Sequence, residues 1–333
     1  MKREVLVLRE DEIRALLDPA ACIQAMEQAF AAYAIGKAQL PPVINLEVPE
    51  HRGEVHIKTG HLSGGPYYAV KIASGFYDNE ALGLPSSSGM VLVFDSHTGT
   101  PAAFLLDNGF ITDLRTAAAG ALAAKYLARK QINTVAVIGS GAQARYQIKL
   151  LSLVRNFREV RVWGRSRDRA EACVADLQRA RISGQPALTS ASSVEEAVHH
   201  ADVVITVTAS REPLVRAEWL PAGVTVIAVG SDGPDKQELD VGVLARADRI
   251  VADSLPQCLR LGEIHHAVEQ GAISQEKVSA ELGEIAAGLK PGRTSEQELI
   301  VCDLTGVGVQ DVAAANLVME RALAAGAGEK LPL

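Results

Sequence analysis

The stretch Val-Ala-Val-Ile-Gly-Ser-Gly-Ala-Gln-Ala, at 135–144, places Gly139, Gly141 and Ala144 directly after an apolar run. In a Gly-x-Gly-x-x-Ala turn, the first glycine allows a tight bend and the second lets the backbone approach a pyrophosphate. The helix that follows then points its N-terminal amides at the phosphates. Ordinary strand-to-helix turns also use glycine, so the surrounding segments must decide between a dinucleotide site and a plain turn.

The second chemical feature is Asp232, in the loop Gly-Ser-Asp-Gly-Pro-Asp-Lys that follows the apolar run 224–229. A turn-forming aspartate is the ordinary explanation for this residue. However, the carboxyl edge of a doubly wound sheet is where such sheets bind ligands, which favours a functional carboxylate. Lys236 lies four residues further on, and we expect it to face the same way as Asp232 on a helical turn.

The predicted strands and helices around the glycine motif at 139–144 indicate whether it is a dinucleotide site or a plain turn. Apolar strands and helical stretches alternate from position 134 to 302, which predicts a parallel, doubly wound sheet. The predicted strands are 134–138, 160–163, 203–207, 224–229, 249–251 and 299–302. The predicted helices are 142–154, 168–181, 194–199, 239–245 and 259–270. The glycine motif therefore follows a strand and opens a helix at the head of a βα series, which predicts a dinucleotide site.

The turn after the second predicted strand bears on the choice of cofactor. NAD-binding strands usually end in an acidic residue that accepts from the ribose hydroxyl. Here the strand is followed by Arg165, Ser166 and Arg167, which could hold a 2′-phosphate. We therefore expect NAD(P)H with NADP favoured, although a solvated basic turn and NAD both remain open.

The rest of the chain predicts a second domain. Asp18 and Pro19 begin a helix that Gly36 can end, and short strands between 41 and 106 predict a mostly antiparallel sheet. An alanine-rich helix from about Leu114 to Arg129 leads into the glycine motif, and a last helix spans 309–325. That last helix could return to the N-terminal part. The prediction is an α/β protein: residues 116–308 form a Rossmann domain, and residues 1–115 with 309–333 form a discontinuous α+β domain.

Composition excludes several function classes. A net charge of −7 over 333 residues argues against a nucleic-acid surface. No apolar run is long enough for a membrane span, and the N-terminus lacks a signal-peptide core, so a cytoplasmic location is expected. The four scattered cysteines and the spacing of His51, His56 and His61 predict neither a disulfide framework nor a metal site.

Four motifs together resemble the ornithine cyclodeaminase/μ-crystallin family over nearly the whole chain. They are Ala-Val-Ile-Gly-Ser-Gly-Ala-Gln-Ala at 136–144, Thr-Asp-Leu-Arg-Thr-Ala-Ala-Ala at 112–119, Ala-Val-Lys ending at Lys71, and Gly-Ser-Asp-Gly-Pro-Asp-Lys-Gln-Glu-Leu at 230–239. The resemblance implies a homodimer with a substrate-binding and dimerisation domain beside the Rossmann domain. It also implies hydride exchange between a nicotinamide and an imino or amino acid.

By matching position, the resemblance assigns roles to individual residues. Lys71 and Arg115 would clamp the substrate's α-carboxylate, a task that suits an ammonium and a forked guanidinium. Arg115 would also gain from the dipole if it lies in the first turn of its helix. Asp232 would be the catalytic carboxylate, and Lys71 would also take part in catalysis. Ser86 would provide a hydroxyl on the substrate side. The implied cofactor contacts are Thr116, Gly139, Ser140, Gly141, Ala142, Gln143, Arg165, Ser166, Lys236 and Thr305.

One departure from the family bears on the substrate. Ornithine cyclodeaminase has a glutamate thirteen residues before the clamp lysine, where this chain has Lys58. The family's upstream arginine is also replaced, by Asn45 or a neighbour. A cationic ω-amine would meet Lys58 and be repelled, so the sequence favours a substrate with a second negative group. Alternatively, Lys58 replaces the missing arginine at the α-carboxylate.

The leading prediction is therefore an imine reductase that converts iminosuccinate to aspartate. Three cations would then face two carboxylates, with Asp232 as a further anion. The residues would also accommodate the imine of pyruvate or glyoxylate. An ornithine cyclodeaminase, a reductase of cyclic ketimines such as pyrroline-2-carboxylate, and a crystallin-like binding protein without turnover remain alternatives.

Overall fold

The computed structural model describes residues 4–333, with Glu80 described by its backbone alone. The strands are β1 (Glu4–Arg9), β2 (Ala38–Gln39), β3 (Ile44–Val48), β4 (Gly53–Leu62), β5 (Tyr67–Phe76), β6 (Ser87–Asp95), β7 (Pro101–Leu106), β8 (Thr134–Ile138), β9 (Glu159–Trp163), β10 (Ala187–Ser190), β11 (Val203–Thr206), β12 (Thr225–Ala228), β13 (Arg249–Ala252), β14 (Val278–Glu281), β15 (Ile300–Asp303) and β16 (Glu329–Pro332). The helices are α1 (Glu10–Leu16), α2 (Pro19–Ala34), α3 (Phe110–Leu127), α4 (Ala142–Leu151), α5 (Arg167–Arg179), α6 (Val194–Val198), α7 (Val241–Arg246), α8 (Leu255–Cys258), α9 (Gly262–Glu269), α10 (Leu282–Ala286) and α11 (Gly308–Ala325).

The chain forms two compact units. The first contains the residues up to Arg115 together with Val307–Leu333, and the second is Thr116–Gly306. Among the described residues, no helix is both long and apolar enough to cross a membrane.

The first unit is built on one mixed sheet in the order β16-β1-β7-β6-β5-β4-β2, with β3 also paired to β4. The antiparallel pairing predicted between 41 and 106 is confirmed, from β3 to β7. The strands β16 and β1, which lie at one end of this sheet, were not predicted. The helix α2 is also confirmed, since Asp18 accepts from the Ala21 amide at 2.9 Å and Pro19 is the first helical residue.

The two faces of this sheet differ in environment. One face packs against α2 and α11 and buries Ala69, Val91, Val93 and Leu105 to within 1%. Lys58 and Lys71 lie on this buried face, where they are Cα partners across β4 and β5. The opposite face, which we call the outer face, carries apolar residues that are half-buried or exposed. They include Ile44, Val55, Ile57, Val70, Ile72, Met90, Leu92 and Phe104.

The second unit is a fully parallel sheet in the order β10-β9-β8-β11-β12-β15-β13-β14, with β8 near its centre. Strands β8, β11, β12 and β15 have every residue buried or nearly so, as expected when helices cover both faces. The chain leaves β8 toward β9 on one side and later adds β11 on the other, so the strand order reverses beside the glycine motif. The predicted fold class is confirmed, and doubly wound sheets bind ligands at such a reversal.

Two helices differ from their predicted bounds. The helix α3 begins at Phe110 rather than near Leu114, because the Asp107 carboxylate accepts from the Ile111 amide at 2.7 Å and caps it. Arg115 is therefore in the second turn, so the prediction of a first-turn dipole contribution was wrong. The predicted helix 259–270 is present as α9, but it begins at Gly262 rather than at Leu259, and Gly262 has φ +83°. A Cβ at Gly262 would lie 2.7 Å from the Asp303 carboxylate.

Candidate functional site

A cluster of buried cations forms in the first unit. Lys58, Lys71 and Arg115 are 5%, 2% and 3% exposed, and all three interact with the carboxylate of Asp311. Arg115 Nε donates to Asp311 Oδ1 at 3.0 Å, and Lys71 Nζ lies 3.7 Å from Asp311 Oδ2. Three ionised cations are seldom buried together, because each loses its hydration. We call these four side chains the cation cluster.

Asp311 is the residue of this cluster that sequence reasoning missed. It lies in the first turn of α11, where the amide of Val307 and the side chain of Arg115 also bind Gln310 Oε1. Burial alone would raise the pKa of Asp311, but attraction to Arg115, Lys71 and Lys58 outweighs burial and lowers it. An acid in an otherwise apolar stretch, Gly-Val-Gly-Val-Gln-Asp-Val-Ala, was the available signal.

A second acid in this unit has the opposite shift. Burial raises the pKa of Asp107, and the negative charge of Asp311 raises it further. Its Oδ2 atom accepts from the Ile111 amide as the cap of α3. The two buried acids of this unit are therefore shifted in opposite directions, and Asp311 is the one that the cations stabilise as an anion.

The other residues predicted on the substrate side have different surroundings. Asn45 Oδ1 lies 2.8 Å from Nδ1 of His56, which is its Cα partner across β3 and β4. The structure thus places Asn45 in a hydrogen bond of its own, outside the cation cluster. Ser86 is exposed just before β6, and its carbonyl accepts from the Phe76 amide.

The glycine turn of the second unit is shaped to receive an anion. Gly139 has φ +126°, and a Cβ there would lie 2.8 Å from Val207. Gly141 is the N-cap of α4 with nothing within 4 Å of an added Cβ, so its surface side is open. Ser140 and Ala142 flank it, and Ala142 is the first residue of α4. A pyrophosphate fits this turn, because the N-terminal amides of α4 are exposed beside a residue without a side chain.

Two residues that support this turn were not predicted. Arg145 Nη1 donates to the carbonyls of Ser140 at 2.7 Å and Gly141 at 3.0 Å, while its Nε binds Asp176. The buried Gln147 donates through Nε2 to the Thr116 carbonyl and to Gln143 Oε1. Arg145 fixes the carbonyls of the turn, and Gln147 joins two of the predicted cofactor contacts.

The turn after β9 has fewer available groups than its sequence indicates. Ser166 caps α5 by accepting from the Arg169 amide, and Arg167 forms an exposed ion pair with Glu171 at 2.8 Å. Arg165, which directly precedes Ser166, is exposed. Gly164 lies next to the glycine turn, since a Cβ there would meet Ser140 Oγ at 2.5 Å.

Asp232 and Lys236 are in direct contact in the loop after β12. Lys236 Nζ donates to Asp232 Oδ1 at 2.8 Å, with the lysine side chain 7% exposed and the aspartate side chain 40% exposed. The predicted helical turn is wrong, because these residues form a non-helical turn. The two side chains nevertheless face each other as expected. Lys236, which was predicted as a cofactor contact, thus binds the proposed catalytic acid directly.

Thr305 lies in a buried network. Its hydroxyl donates to Asp253 Oδ1 at 3.0 Å and accepts from Gln257 Nε2 at 2.9 Å. Asp253 also accepts from the Gly306 amide at 2.6 Å. The side chain of Thr305 is therefore already used in fixing its own loop.

One group of side chains outside these sites could coordinate a metal. His265, His266 and Glu269 on α9 have potential ligand atoms within 4.8 Å of one another. The Nε2 atom of His266 is engaged with the Lys236 carbonyl at 2.8 Å. The cysteines Cys22, Cys173, Cys258 and Cys302 are all buried and free.

The model of the ornithine cyclodeaminase/mu-crystallin family matches residues 3–326 of the chain. An uncharacterised cyclodeaminase of Sinorhizobium fredii is 45% identical over 97% of both chains. An alanine dehydrogenase of Archaeoglobus fulgidus is 40% identical over 98% of both. An iminosuccinate reductase of Paracoccus denitrificans is 33% identical over 99% of this chain and 100% of its own.

Solved structures give the same result for the fold. An archaeal alanine dehydrogenase dimer with bound NAD has a TM-score of 0.91 at 38% identity, over 99% of this chain and 100% of that one. A Thermococcus litoralis Δ1-pyrroline-2-carboxylate reductase with NADH and L-proline has a TM-score of 0.93 at 32% identity, over 98% and 100%. The iminosuccinate reductase of Paracoccus denitrificans with NAD+ has a TM-score of 0.88 at 32% identity, over 99% and 100%.

Proposed function

The chain belongs to the ornithine cyclodeaminase/mu-crystallin family, and from that premise we propose that it reduces iminosuccinate to aspartate. Its broader class is that of NAD(P)-dependent oxidoreductases acting on carbon–nitrogen bonds. The proposal concerns the substrate and the residues that bind it.

The cation cluster is the observation that supports a dicarboxylate. Lys58, Lys71 and Arg115 contribute three positive charges and Asp311 one negative charge, so the four side chains have a formal charge of +2 (3 − 1). Sequence reasoning counted Asp232 as the balancing anion, but Asp232 is paired with Lys236. Asp311 takes its place in the count. A substrate with two carboxylates matches a buried charge of +2 better than a monocarboxylate.

Each residue has a chemical role in this proposal. Lys71 and Arg115 hold the α-carboxylate, and Lys58, directly opposite Lys71 across the sheet, holds the second carboxylate. The negative charge of the substrate relieves the repulsion between the two facing lysines. The carboxylate of Asp232, held by Lys236, stabilises the iminium form of the nitrogen and relays to it a proton taken up from water. The reduced nicotinamide, when bound at the glycine turn, supplies the hydride to the imine carbon.

The cofactor preference is a separate part of the proposal. The relatives with solved structures contain NAD or NADH, which supports a nicotinamide dinucleotide at the 139–143 turn. Exposed Arg165 and the absence of an acidic residue from 164–167 support NADPH as the preferred form. A comparison of kcat/KM for NADPH and NADH tests this, and a clear preference for NADH would contradict it.

A second candidate is the imine of pyruvate. The alanine dehydrogenase of Archaeoglobus fulgidus is more similar to this chain than the iminosuccinate reductase is, at 40% against 33% identity. With this substrate Lys58 would join Lys71 and Arg115 at the one carboxylate. The two candidates therefore differ in what Lys58 binds.

The test is Lys58→Ala assayed on iminosuccinate and on pyruvate with ammonia, with NADH and NADPH. Losing a charge-assisted contact to a carboxylate should lower kcat/KM for iminosuccinate by about tenfold or more, with little change for pyruvate. Equal loss on both substrates assigns Lys58 to the shared α-carboxylate and refutes the aspartate proposal. Exposed Lys37 in the same unit provides the control, since Lys37→Ala should leave both rates unchanged. Ornithine and pyrroline-2-carboxylate complete the panel.

We also propose a homodimer assembled through the outer face of the first unit. Ile44 and Leu46 on β3 are 60% and 57% exposed, and Met90 on β6 is 39% exposed. Together with the half-buried residues of β4 to β7, they form a continuous apolar surface of the kind found at subunit interfaces. The archaeal alanine dehydrogenase is described as a dimer.

A further inference from the structure

Glu238 is a fully buried acid, 0% exposed, at the end of the loop that carries Asp232. Its carboxylate reaches back to the first residue of that loop and accepts from the Gly230 amide at 2.8 Å. It also accepts from the amide and the hydroxyl of Thr208, at 2.5 and 2.7 Å. The side chain therefore joins the two ends of residues 230–238, which we call the Asp232 loop, and ties them to the segment after β11.

Further bonds make this closure rigid. The hydroxyl of Ser231 donates to the Lys236 carbonyl, and His266 Nε2 donates to the same carbonyl at 2.8 Å. The backbone of Glu238 is held in turn by Glu263, which accepts from the amides of Glu238 at 2.8 Å and Leu239 at 3.1 Å. The loop is thus fixed at its start, at its end and at the carbonyl of Lys236.

The donors around Glu238 favour a carboxylate at this position. The amide and hydroxyl of Thr208 and the amide of Gly230 all donate to the Glu238 side chain, so an acceptor with no hydrogen of its own fits. Burial raises the pKa of Glu238 to about 7, and the bonds from Thr208 and Gly230 limit the rise. Two other buried acids, Glu263 on α9 and Asp303 on β15, face this region, and burial raises the pKa of each. A glutamine would turn one N–H group toward donors and open the closure.

We propose that Glu238 is a positioning residue for the reaction, which closes the Asp232 loop and so fixes the place of the Asp232–Lys236 pair. The role of Asp232 itself rests on the proposed function. Small displacements of a catalytic group reduce turnover strongly, because the reactive geometry must be held to within a fraction of an ångström. Glu238 acts on kcat through the Asp232 loop. Its side chain accepts from Thr208 and Gly230, which are not among the residues of the 139–143 turn proposed to bind the cofactor.

The experiment compares Glu238→Gln with the wild-type protein in three measurements. Amide exchange should speed up at Gly230 and Thr208 by about tenfold or more, because local opening becomes easier. The value of kcat should fall by about a hundredfold, the scale expected for an ångström-sized displacement. The affinity for NADH, measured by fluorescence titration, should stay within about threefold, since the glycine turn is unchanged.

Asp202→Asn is the matched control. Asp202 also accepts from two backbone amides, those of Asn133 and Thr134 at the start of β8, and it pairs with Arg129 at 3.1 Å, all at the opposite edge of the same sheet. Its variant should lose stability without losing kcat or loop protection. If Glu238→Gln retains kcat within about twofold, or loses no more than Asp202→Asn, the positioning role is refuted.

Two further results keep the test decisive. If Glu238→Gln fails to fold, Thr208→Val serves instead, because it removes a single hydroxyl donor and nearly keeps the shape. It should also speed up amide exchange and lower kcat, but by less, with NADH affinity unchanged. If Thr208→Val leaves exchange and kcat unchanged, the proposal fails. If the wild-type protein reduces no imine, the proposed function fails, whereas the exchange measurement still decides whether Glu238 closes the loop.

Discussion

At the scale of single residues, Asp311 accounts for the stability of a group of cations that would otherwise be unfavourable. Lys58 and Lys71 face each other on adjacent strands, and like charges in directly opposed positions destabilise a sheet. Asp311 interacts with both and binds Arg115 directly. Because its pKa is lowered, its contribution is complete above the ordinary value and is lost only as the pH falls below about 3.8.

We therefore expect Asp311→Asn to destabilise the protein at pH 7 by about 3–5 kcal/mol, because it leaves buried cations without their anion. Urea denaturation of the two proteins measures the change. Asp78→Asn is the control, since Asp78 pairs with Arg52 at 3.0 Å where both side chains are largely exposed, and it should change stability by less than about 1 kcal/mol. Equal effects of the two substitutions would refute the role given to Asp311.

Asp232 should matter for chemistry more than for folding. Its side chain is 40% exposed, and an asparagine Oδ1 can still accept from Lys236 Nζ, so Asp232→Asn removes the charge but keeps the hydrogen bond. Turnover should fall by about a hundredfold or more, the scale of a lost proton-transfer group, while the melting temperature changes little. Asp235→Asn is the control in the same loop, because Asp235 pairs with Arg211 at 2.8 Å where both side chains are largely exposed. Turnover of Asp232→Asn near the wild-type level would move the catalytic role to another residue.

At the scale of elements, the two glycines of the cofactor turn have separable roles. Gly141 adopts φ −79° and has open space at its Cβ position, so Gly141→Val is compatible with the fold but places a side chain where a pyrophosphate would bind. We expect an unchanged melting temperature and a loss of NADH affinity of at least about tenfold by fluorescence titration. Gly139→Val should instead lower the melting temperature, because φ is +126° and Val207 is 2.8 Å away. Unchanged NADH affinity in Gly141→Val would refute the proposal that this turn binds the pyrophosphate.

The elements also indicate which features a sequence can predict. The βα series was predictable because each buried parallel strand is a continuous apolar run, and every predicted strand of the second unit is present. The starts of α3 and of α9 depend on Asp107 and Asp303, whose carboxylates accept from the Ile111 and Ile264 amides and make these contacts only in the folded chain. Lys71 and Arg115 could be paired by resemblance. Asp311 was missed, because its contact with Arg115 is made across 196 residues of sequence and its only signal was an acid in an apolar stretch.

At the scale of the whole molecule, the outer face provides the last prediction. Ile44→Asp combined with Leu46→Asp places two charges on exposed positions of β3, so the fold of the protomer should survive while an apolar interface should not. Light scattering after gel filtration should give twice the 35.3 kDa chain mass for the wild-type protein and a single chain mass for the variant. Leu153→Asp combined with Leu289→Asp adds the same charges at 51% and 61% exposed leucines of the second unit, and it should remain a dimer. A wild-type monomer would refute the dimer, and dissociation of both variants or of neither would show that the outer face is not the interface.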